Sequence, residues 1–328
     1  MSDRPETNDR ASIRAGGSPE LVVIGNACVD LFVPPHAAPP AGGIVWVPPL
    51  GVEVGGNGAN TAVTAARLGV RTAFAGTIGG DLFGRHVVDC LARDRVDISL
   101  LDVIDELTGP TTLVVNDASG ERSFVHHPGS NAHYALPARA LASACEVFHF
   151  AAPELLGAFF PDGCVAAARE LERRGRTLSL DVIDIDFGGR DPVATRRPLL
   201  ELVDMIFPNE AEARAISGRS RVEDMLAYFH DLGIRTVVLK RGAEGAIVSS
   251  DGMVDRVPTD QVRVVDTCGA GDNFVAGFLA AHLRGLSPFD GARLGCALGT
   301  LCVEEKGAVA ASADPERLAA VLARFALV

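Results

Sequence analysis

The sequence predicts an α/β fold, with a central mostly parallel sheet flanked by helices, and three observations carry that prediction. Short apolar runs rich in Val, Ile, Leu and Phe alternate with longer segments of helical periodicity, the pattern of βαβ units whose strands are covered on both faces. With 328 residues, 48% hydrophobic and 22% charged, the chain is long and apolar enough to bury one large core. Two segments, near residues 31–54 and 109–128, break the alternation and read as a small inserted β-sheet.

In chain order, the polar lead 1–19 lacks an apolar core and reads as disordered rather than as a signal peptide. Residues 21–25 (LVVIG) form a buried strand, 60–68 a helix stopped at Gly69, 72–76 a strand, and 84–93 a helix that follows the phrase GTIGGDLFG. The Pro/Gly-rich stretch around Ile44-Val45-Trp46-Val47 belongs to the first irregular segment, where Trp46 is read as an interface or lid residue or as core packing. Residues 111–116 and 122–126 flank Asp117-Ala118-Ser119-Gly120 as a hairpin. Further strands are expected at 147–151, 177–181, 205–207 and 236–239, with helices between them. Val264 and Val265 read as a strand end, followed by a glycine turn and an amphipathic helix carrying Phe274, Val275, Phe278, Leu279 and Leu283.

Composition excludes several classes. A net charge of −12 argues against a nucleic-acid surface, and no apolar run reaches membrane-spanning length, so the chain is read as cytoplasmic with no nucleic-acid or membrane partner. Seven cysteines (Cys28, Cys90, Cys145, Cys164, Cys268, Cys296, Cys302) are scattered without metal spacing and read as reduced, mostly core thiols. No Gly-Lys pair occurs, which removes a Walker A loop. A dinucleotide fingerprint fails because the third glycine position after Gly56 and Gly58 holds Thr61.

The chemistry concentrates in a few phrases. In VVDTCGAGDNFVAGFLAAHL the glycine turn opens a helix whose first amides lack internal partners, so that Gly269, Ala270 and Gly271 can meet an anion beside the Asp272 carboxylate. Taken alone, Asp272 is equally a helix-start carboxylate. Upstream, Gly55-Gly56-Asn57-Gly58-Ala59-Asn60 combines permissive backbone with an amide that both donates and accepts. Asp30 follows the first strand, where ligands gather in parallel sheets. Asn209 and Glu212 share one face of a helix start, where oxygen ligands and waters hold a hard cation or where the pair simply caps the helix. Lys240-Arg241-Gly242-Ala243-Glu244-Gly245 leaves a strand with a basic pair and two glycines.

These phrases resemble the signatures of the ribokinase-like (PfkB) carbohydrate kinases. D-T-C-G-A-G-D is similar to the family's C-terminal D-T-x-G-A-G-D, and the Gly55–Asn60 phrase to its N-terminal G-G-x-G-x-N. Asn209 to Glu212 is similar to N-x-x-E, and Lys240 to Gly245 to K-x-G-x-x-G. The resemblance runs over nearly the whole chain from residue 20, as one kinase domain 20–328, and implies a ribokinase-like fold in which segments 31–54 and 109–128 form a β-sheet lid over the acceptor site.

It further implies ATP-dependent phosphorylation of a sugar, with Asp272 as base and the 269–271 amides on the transferring group. Asp30, Gly56, Asn57 and Asn60 would bind the acceptor, and Asn209, Lys240, Gly242, Gly245 and Cys296 the nucleotide. Mg²⁺ would be held near Glu212 through water. Asp266, with carbonyls near Thr267 and Ala308, would be a K⁺ position. An apolar lid face would support a homodimer.

The sequence also departs from family patterns. Asn57 replaces the lysine of G-G-K-G-A-N, Ala151 and Ala152 stand where ribokinases carry a sugar-binding carboxylate, and residues 181–188 lack D-x-N-x-R. Ribose, fructose, a keto-deoxy sugar acid and a nucleoside therefore stay open as acceptors, with Arg122, His126 and His127 on the lid. A nucleoside kinase of the same fold and a silent sugar-binding regulator are the alternatives.

Overall fold

The computed structural model describes residues 17–34, 41–116, 122–185 and 187–325; most of the 1–19 lead and the hairpin turn 117–120 lie outside them. The first half of the chain runs β1 (Leu21–Gly25), β2 (Cys28–Val33), β3 (Gly51–Gly55), α1 (Asn57–Arg67), β4 (Thr72–Ala75), β5 (Thr77–Gly79), α2 (Leu82–Arg93), β6 (Asp102–Ile104), β7 (Thr111–Asn116), β8 (Arg122–His127) and α3 (Ala138–Leu141). The second half runs β9 (Val147–Ala151), α4 (Asp162–Arg173), β10 (Thr177–Asp181), α5 (Pro192–Leu200), β11 (Met205–Ile206), α6 (Glu210–Ser217), α7 (Val222–Asp231), β12 (Thr236–Lys240), β13 (Ala246–Ser250), β14 (Met253–Val257), α8 (Ala270–Leu283), α9 (Pro288–Val303) and α10 (Pro315–Ala323).

An eight-stranded sheet in the order β14-β13-β12-β11-β10-β9-β1-β4 forms the spine. Its strands from β4 to β12 pair in parallel, and β13 and β14 extend it as an antiparallel hairpin. Alternation along β1 divides the interior: Leu21 and Val23 pack with α1, α2, α8 and α9 on one face, and Val22 and Ile24 with α4, α5, α6 and α7 on the other. A separate four-stranded sheet, β3-β2-β7-β8, stands beside this spine, and β5 pairs with β6. No helix among the described residues is long and apolar enough to cross a membrane, and no disulfide joins any of the seven cysteines, all of which lie among the described residues.

Several expectations need correction. Helix α1 starts at Asn57 rather than residue 60, so the Asn-Gly-Ala-Asn phrase is helical and not a loop. Gly56 caps it at φ 95, and a Cβ there would stand 2.7 Å from the Asn26 carbonyl oxygen. The glycine is thus required by the close approach of α1 to the chain leaving β1. Val264 and Val265 are not a strand end but exposed coil. Helix α8 is not amphipathic: ten of its fourteen residues are buried, from Asp272 to Ala281, as befits a helix enclosed between α1 and α9. Residues 41–50 form no strand, and Trp46 is 91% exposed, which removes core packing as its role. The β13–β14 hairpin is not among the strands the sequence predicts.

Candidate functional site

The turn before α8 is fixed by Gly269, in the left-handed region at φ 73, where a Cβ would come within 2.5 Å of the Ala308 Cβ. The first amide to bond inside the helix is that of Asn273, to the Gly269 carbonyl at 2.9 Å. The intervening amides of Gly271 and Asp272 therefore belong to the unsatisfied helix start. Asp272 is 5% exposed.

Helix α1 meets this start through one face. Asn57, Asn60 and Thr64 are spaced three and four apart, so their side chains line up. Asn57 Nδ2 donates to Asp272 Oδ1 at 3.0 Å, Asn60 Nδ2 to Asp272 Oδ2 at 2.8 Å, and Thr64 Oγ1 to Asn273 Oδ1 at 3.0 Å. Asn273 Nδ2 in turn donates to the carbonyls of Gly269 (2.8 Å) and Ala308 (2.7 Å), which locks the turn. Burial pushes the Asp272 carboxyl up to about 6, against the donated bonds of Asn60 and Asn57. A carboxyl poised there is ionised at neutral pH yet more basic than a free aspartate. Asn60 Oδ1 is buried and without a hydrogen-bond partner, so an acceptor atom is left at the same place.

A cavity of about 470 Å³ opens beside Asp272, along the C-terminal ends of β10 and β12. It brings together Asn57, Asn209, Glu212, Lys240, Gly242, Gly245, Cys296 and the 269–272 turn. Asn209 and Glu212 form a capping box on α6: Asn209 Oδ1 accepts from the Glu212 amide at 2.8 Å, and Glu212 Oε2 from the Asn209 amide at 2.7 Å. Capping does not exhaust Glu212. Burial pushes its carboxyl up to about 7, with the neighbouring Lys240 opposing and Asp181 adding to the rise. At the end of β12 the basic pair divides. Lys240 Nζ lies 2.7 Å from Asp181 Oδ1, whereas Arg241 turns to Glu210 (3.0 Å) and Glu244 (2.7 Å). The Gly242–Glu244 turn closes through the Arg241 amide and the Gly245 carbonyl at 2.8 Å.

Four expected site residues do not line this cavity: Asp30, Gly56, Asn60 and Asp266. Asp30 does not end β1 as the sequence suggested. The chain breaks at Asn26-Ala27 and Asp30 sits on β2, in the small sheet, in register with Glu53, Thr112 and, across β7, His126. Cys28 Sγ donates to Asp30 at 3.2 Å and burial raises the Asp30 carboxyl; a side chain on Gly55 would overlap that carboxylate. Asp266 is buried and accepts from the Cys268 amide (2.8 Å) and the Gly307 amide (3.2 Å). The Ala308 carbonyl accepts from Asn273 Nδ2 at 2.7 Å, and the Cys302 thiol lies between it (3.3 Å) and the Cys268 carbonyl (3.2 Å).

Sequence reasoning missed Asp181, Thr259 and Thr300. Asp181 ends β10, and the tendency of ligands to gather at C-terminal strand ends could have flagged it. Thr259 Oγ1 and Thr300 Oγ1 meet at 2.6 Å on the cavity wall; nothing in their separate contexts marks them.

The family model described as pfkB family carbohydrate kinase matches residues 18–315. Over 308 residues the chain is 30% identical to a ribokinase of Arabidopsis thaliana, covering 90% of this chain and 79% of the relative. It is 30% identical over 286 residues to an aminoimidazole riboside kinase of Salmonella typhimurium, covering 83% and 89%. The structure of Arabidopsis thaliana ribokinase complexed with ribose and ATP superposes with a TM-score of 0.81 at 26% identity, covering 93% of this chain and 99% of that one. With its helix-start carboxylate, its cavity and its two sheets arranged as described, the chain belongs to the pfkB family of carbohydrate kinases.

Proposed function

We propose that the protein transfers the γ-phosphoryl group of ATP to a hydroxyl of a small sugar or sugar derivative. The observation that carries the reading is the buried Asp272 carboxylate, raised to about 6 and held by Asn57 and Asn60 at the mouth of a nucleotide-sized cavity. Asp272 accepts the proton of the acceptor hydroxyl as the new O–P bond forms. The bond from the γ-phosphorus to its bridging oxygen breaks, and ADP leaves with that electron pair. The 269–271 backbone faces the transferring oxygens with helix-start amides, which stabilise charge where it develops.

Asn209, Lys240, Gly242, Gly245 and Cys296 line the nucleotide side. Asn57 and Asn60, with Gly56 and Asp30 behind them, face the acceptor. Among the described residues no three acidic, His or Cys side chains converge as a metal cage, but a cation that keeps several waters and takes phosphate oxygens needs only one carboxylate, and Glu212 on the cavity wall offers one. Glu212 would hold Mg²⁺ through water, and bound Mg²⁺ supplies neutralisation of phosphate charge. A monovalent cation near Asp266 enters no step. The small sheet serves as a lid that excludes water once the acceptor is bound, and its apolar outer positions Val52 and Val125, 47% and 64% exposed, are the place for a homodimer contact. The reaction takes place in the cytoplasm, where ATP is supplied.

The relatives at 30% identity act on ribose or a riboside by their names, which puts a pentose or a riboside first among acceptors. The test is coupled ADP release with Mg²⁺ across pentoses, hexoses, sugar acids, sugar phosphates and nucleosides. One strongly preferred acceptor is expected. ATP binding with no release on any acceptor would favour the silent regulator instead.

A further inference from the structure

Strands β10 and β12 are separated in the sheet by β11 alone, and β11 is only two residues long. The chain that follows it stays bonded to both neighbours, the Phe207 amide to the Leu180 carbonyl at 3.0 Å and the Lys240 amide to the Pro208 carbonyl at 2.8 Å, which fixes the two strand ends relative to each other. From the end of β12 the Lys240 side chain reaches across to Asp181 Oδ1 at 2.7 Å, and both residues line the cavity. A buried ion pair is a weak source of stability, because desolvation offsets most of its attraction; a position beside phosphates gives this one another use.

The other neighbour of the ammonium is Gly271, in the first turn of α8, where a Cβ would stand 3.2 Å from Nζ. The charge thus rests against the backbone one residue before Asp272. Lys240 is the only basic side chain among the described residues that line the cavity. Its stem is flexible, and Glu212 and Asp272 also attract it. Released from Asp181, it would fall toward one of these carboxylates.

We propose that Asp181 is a positioning residue for phosphoryl transfer: it pins the Lys240 ammonium against the first turn of α8, where it meets charge on the phosphoryl group, and keeps it off Asp272. The inference rests on the kinase reading above. Neither residue forms a bond to phosphorus, and neither gives up a proton.

The groups facing Asp272 are Asn57 and Asn60 from α1, Asp181 from the end of β10 and Lys240 from the end of β12, with the Cys28 and Cys302 thiols near enough to feel its charge. Removing the Asp181 charge, which raises Asp272, and freeing Lys240, which lowers it, act in the same direction. Asp181→Asn should therefore shift the acid limb of kcat/KM to lower pH.

The experiment uses the full chain, with the acceptor that the wild type prefers. Asp181→Asn should lower kcat by roughly 10- to 100-fold with KM for the acceptor within about twofold of wild type. Lys240→Met should lose at least as much, and the double variant no more than Lys240→Met alone, because residues acting as a unit are not additive. A purely structural strut would lower Tm and leave kcat per folded molecule within about twofold of wild type, since the loss of the Asp181 charge by itself already moves the pH limb.

Retention of kcat within twofold by Asp181→Asn, or losses that multiply in the double variant, would overturn the proposal. If Asp181→Asn does not fold, the uncharged double variant carries the test, and turnover in it well above that of Lys240→Met overturns the proposal as well. A wild type that releases no ADP on any acceptor removes the kinase reading itself, an outcome distinct from an active wild type indifferent to Asp181.

Discussion

Two ion pairs, one fully and one partly buried, flank the loop that leaves β10, and the molecule uses them in opposite ways. Arg196 and Glu154 are 2% and 1% exposed, with Nε 2.9 Å from Oε1. The guanidinium also donates to the Ile183 carbonyl at 2.6 Å and lies 4.4 Å over the Phe187 ring. Centred on Arg196 in α5, these contacts tie that helix both to the loop between β10 and α5 and to Glu154 in the chain after β9, behind Val182 and Ile183 on the cavity wall. Lys240 and Asp181 have the same charges but face the cavity. A planar fork with several fixed donors suits a strut, whereas a point charge on a flexible stem suits a place where its partner can be shared with phosphate. Burial raises both carboxyls, Glu154 to about 7. Perturbation alone therefore does not separate a working charge from a structural one; access to the cavity does.

The largest effect is expected on the cavity side. Asp272→Asn should keep folding and nucleotide binding while lowering kcat by about 10²- to 10⁴-fold in coupled ADP release; turnover near wild type would remove the base assignment. On the strut side, Arg196→Met should cost about 3–5 kcal/mol of stability by urea unfolding, with kcat per folded molecule little changed. Glu154→Leu combined with Arg196→Met should recover most of that loss. A stable Arg196→Met beside an unfolded Lys240→Met would invert the comparison.

The strut should also leave a mark on stability against pH. Folded Glu154 holds its proton more tightly than the unfolded chain, whose value is near 4.5, so its contribution favours folding at low pH and is lost as pH rises through about 7. Urea titrations of wild type at pH 5 and pH 8, repeated with Glu154→Gln, measure that difference; an equal slope in both proteins would refute it.

Smaller shifts sharpen the cavity side. With Asp272 near 6, kcat/KM should fall below about pH 6 as the base is protonated. Asn60→Ala removes a donated bond that lowers Asp272, so the acid limb should move to higher pH, and by less in Asn57→Ala. A limb that stays fixed in both would mean that another group titrates. Glu212→Gln should mainly raise the Mg²⁺ concentration needed for half-maximal rate, read from rate against Mg²⁺ at fixed ATP.

Much of this architecture was legible in the sequence. The sequence predicts the strands Leu21–Gly25, Val147–Ala151 and Thr177–Asp181 with the ends they have, because short apolar runs bounded by polar or glycine residues are local signals. Helix starts lie earlier than the apolar period indicates, at 57 and 82 rather than 60 and 84. Gly56 caps α1 without a side chain, and Asp81 caps α2 through the Gly84 amide, neither of which changes the apolar period. The β13–β14 hairpin escaped because β14 is mostly exposed and gives no apolar run.

What the sequence determined by itself was chemistry carried by neighbours along the chain: the glycine turn before Asp272, the Asn209 and Glu212 spacing, the alternation that makes a parallel sheet, and the family these phrases resemble. Tertiary structure alone decided which distant groups meet. Asp181 and Lys240 are 59 residues apart, and Asn57 and Asp272 are 215 apart. The first pair depends on β10 and β12 lying on either side of β11 in the sheet, the second on α1 lying against α8. Strand order and helix packing arise from the burial of whole faces, a sum over many residues that no local phrase records, so the partners of a charge appear only once the sheet is assembled.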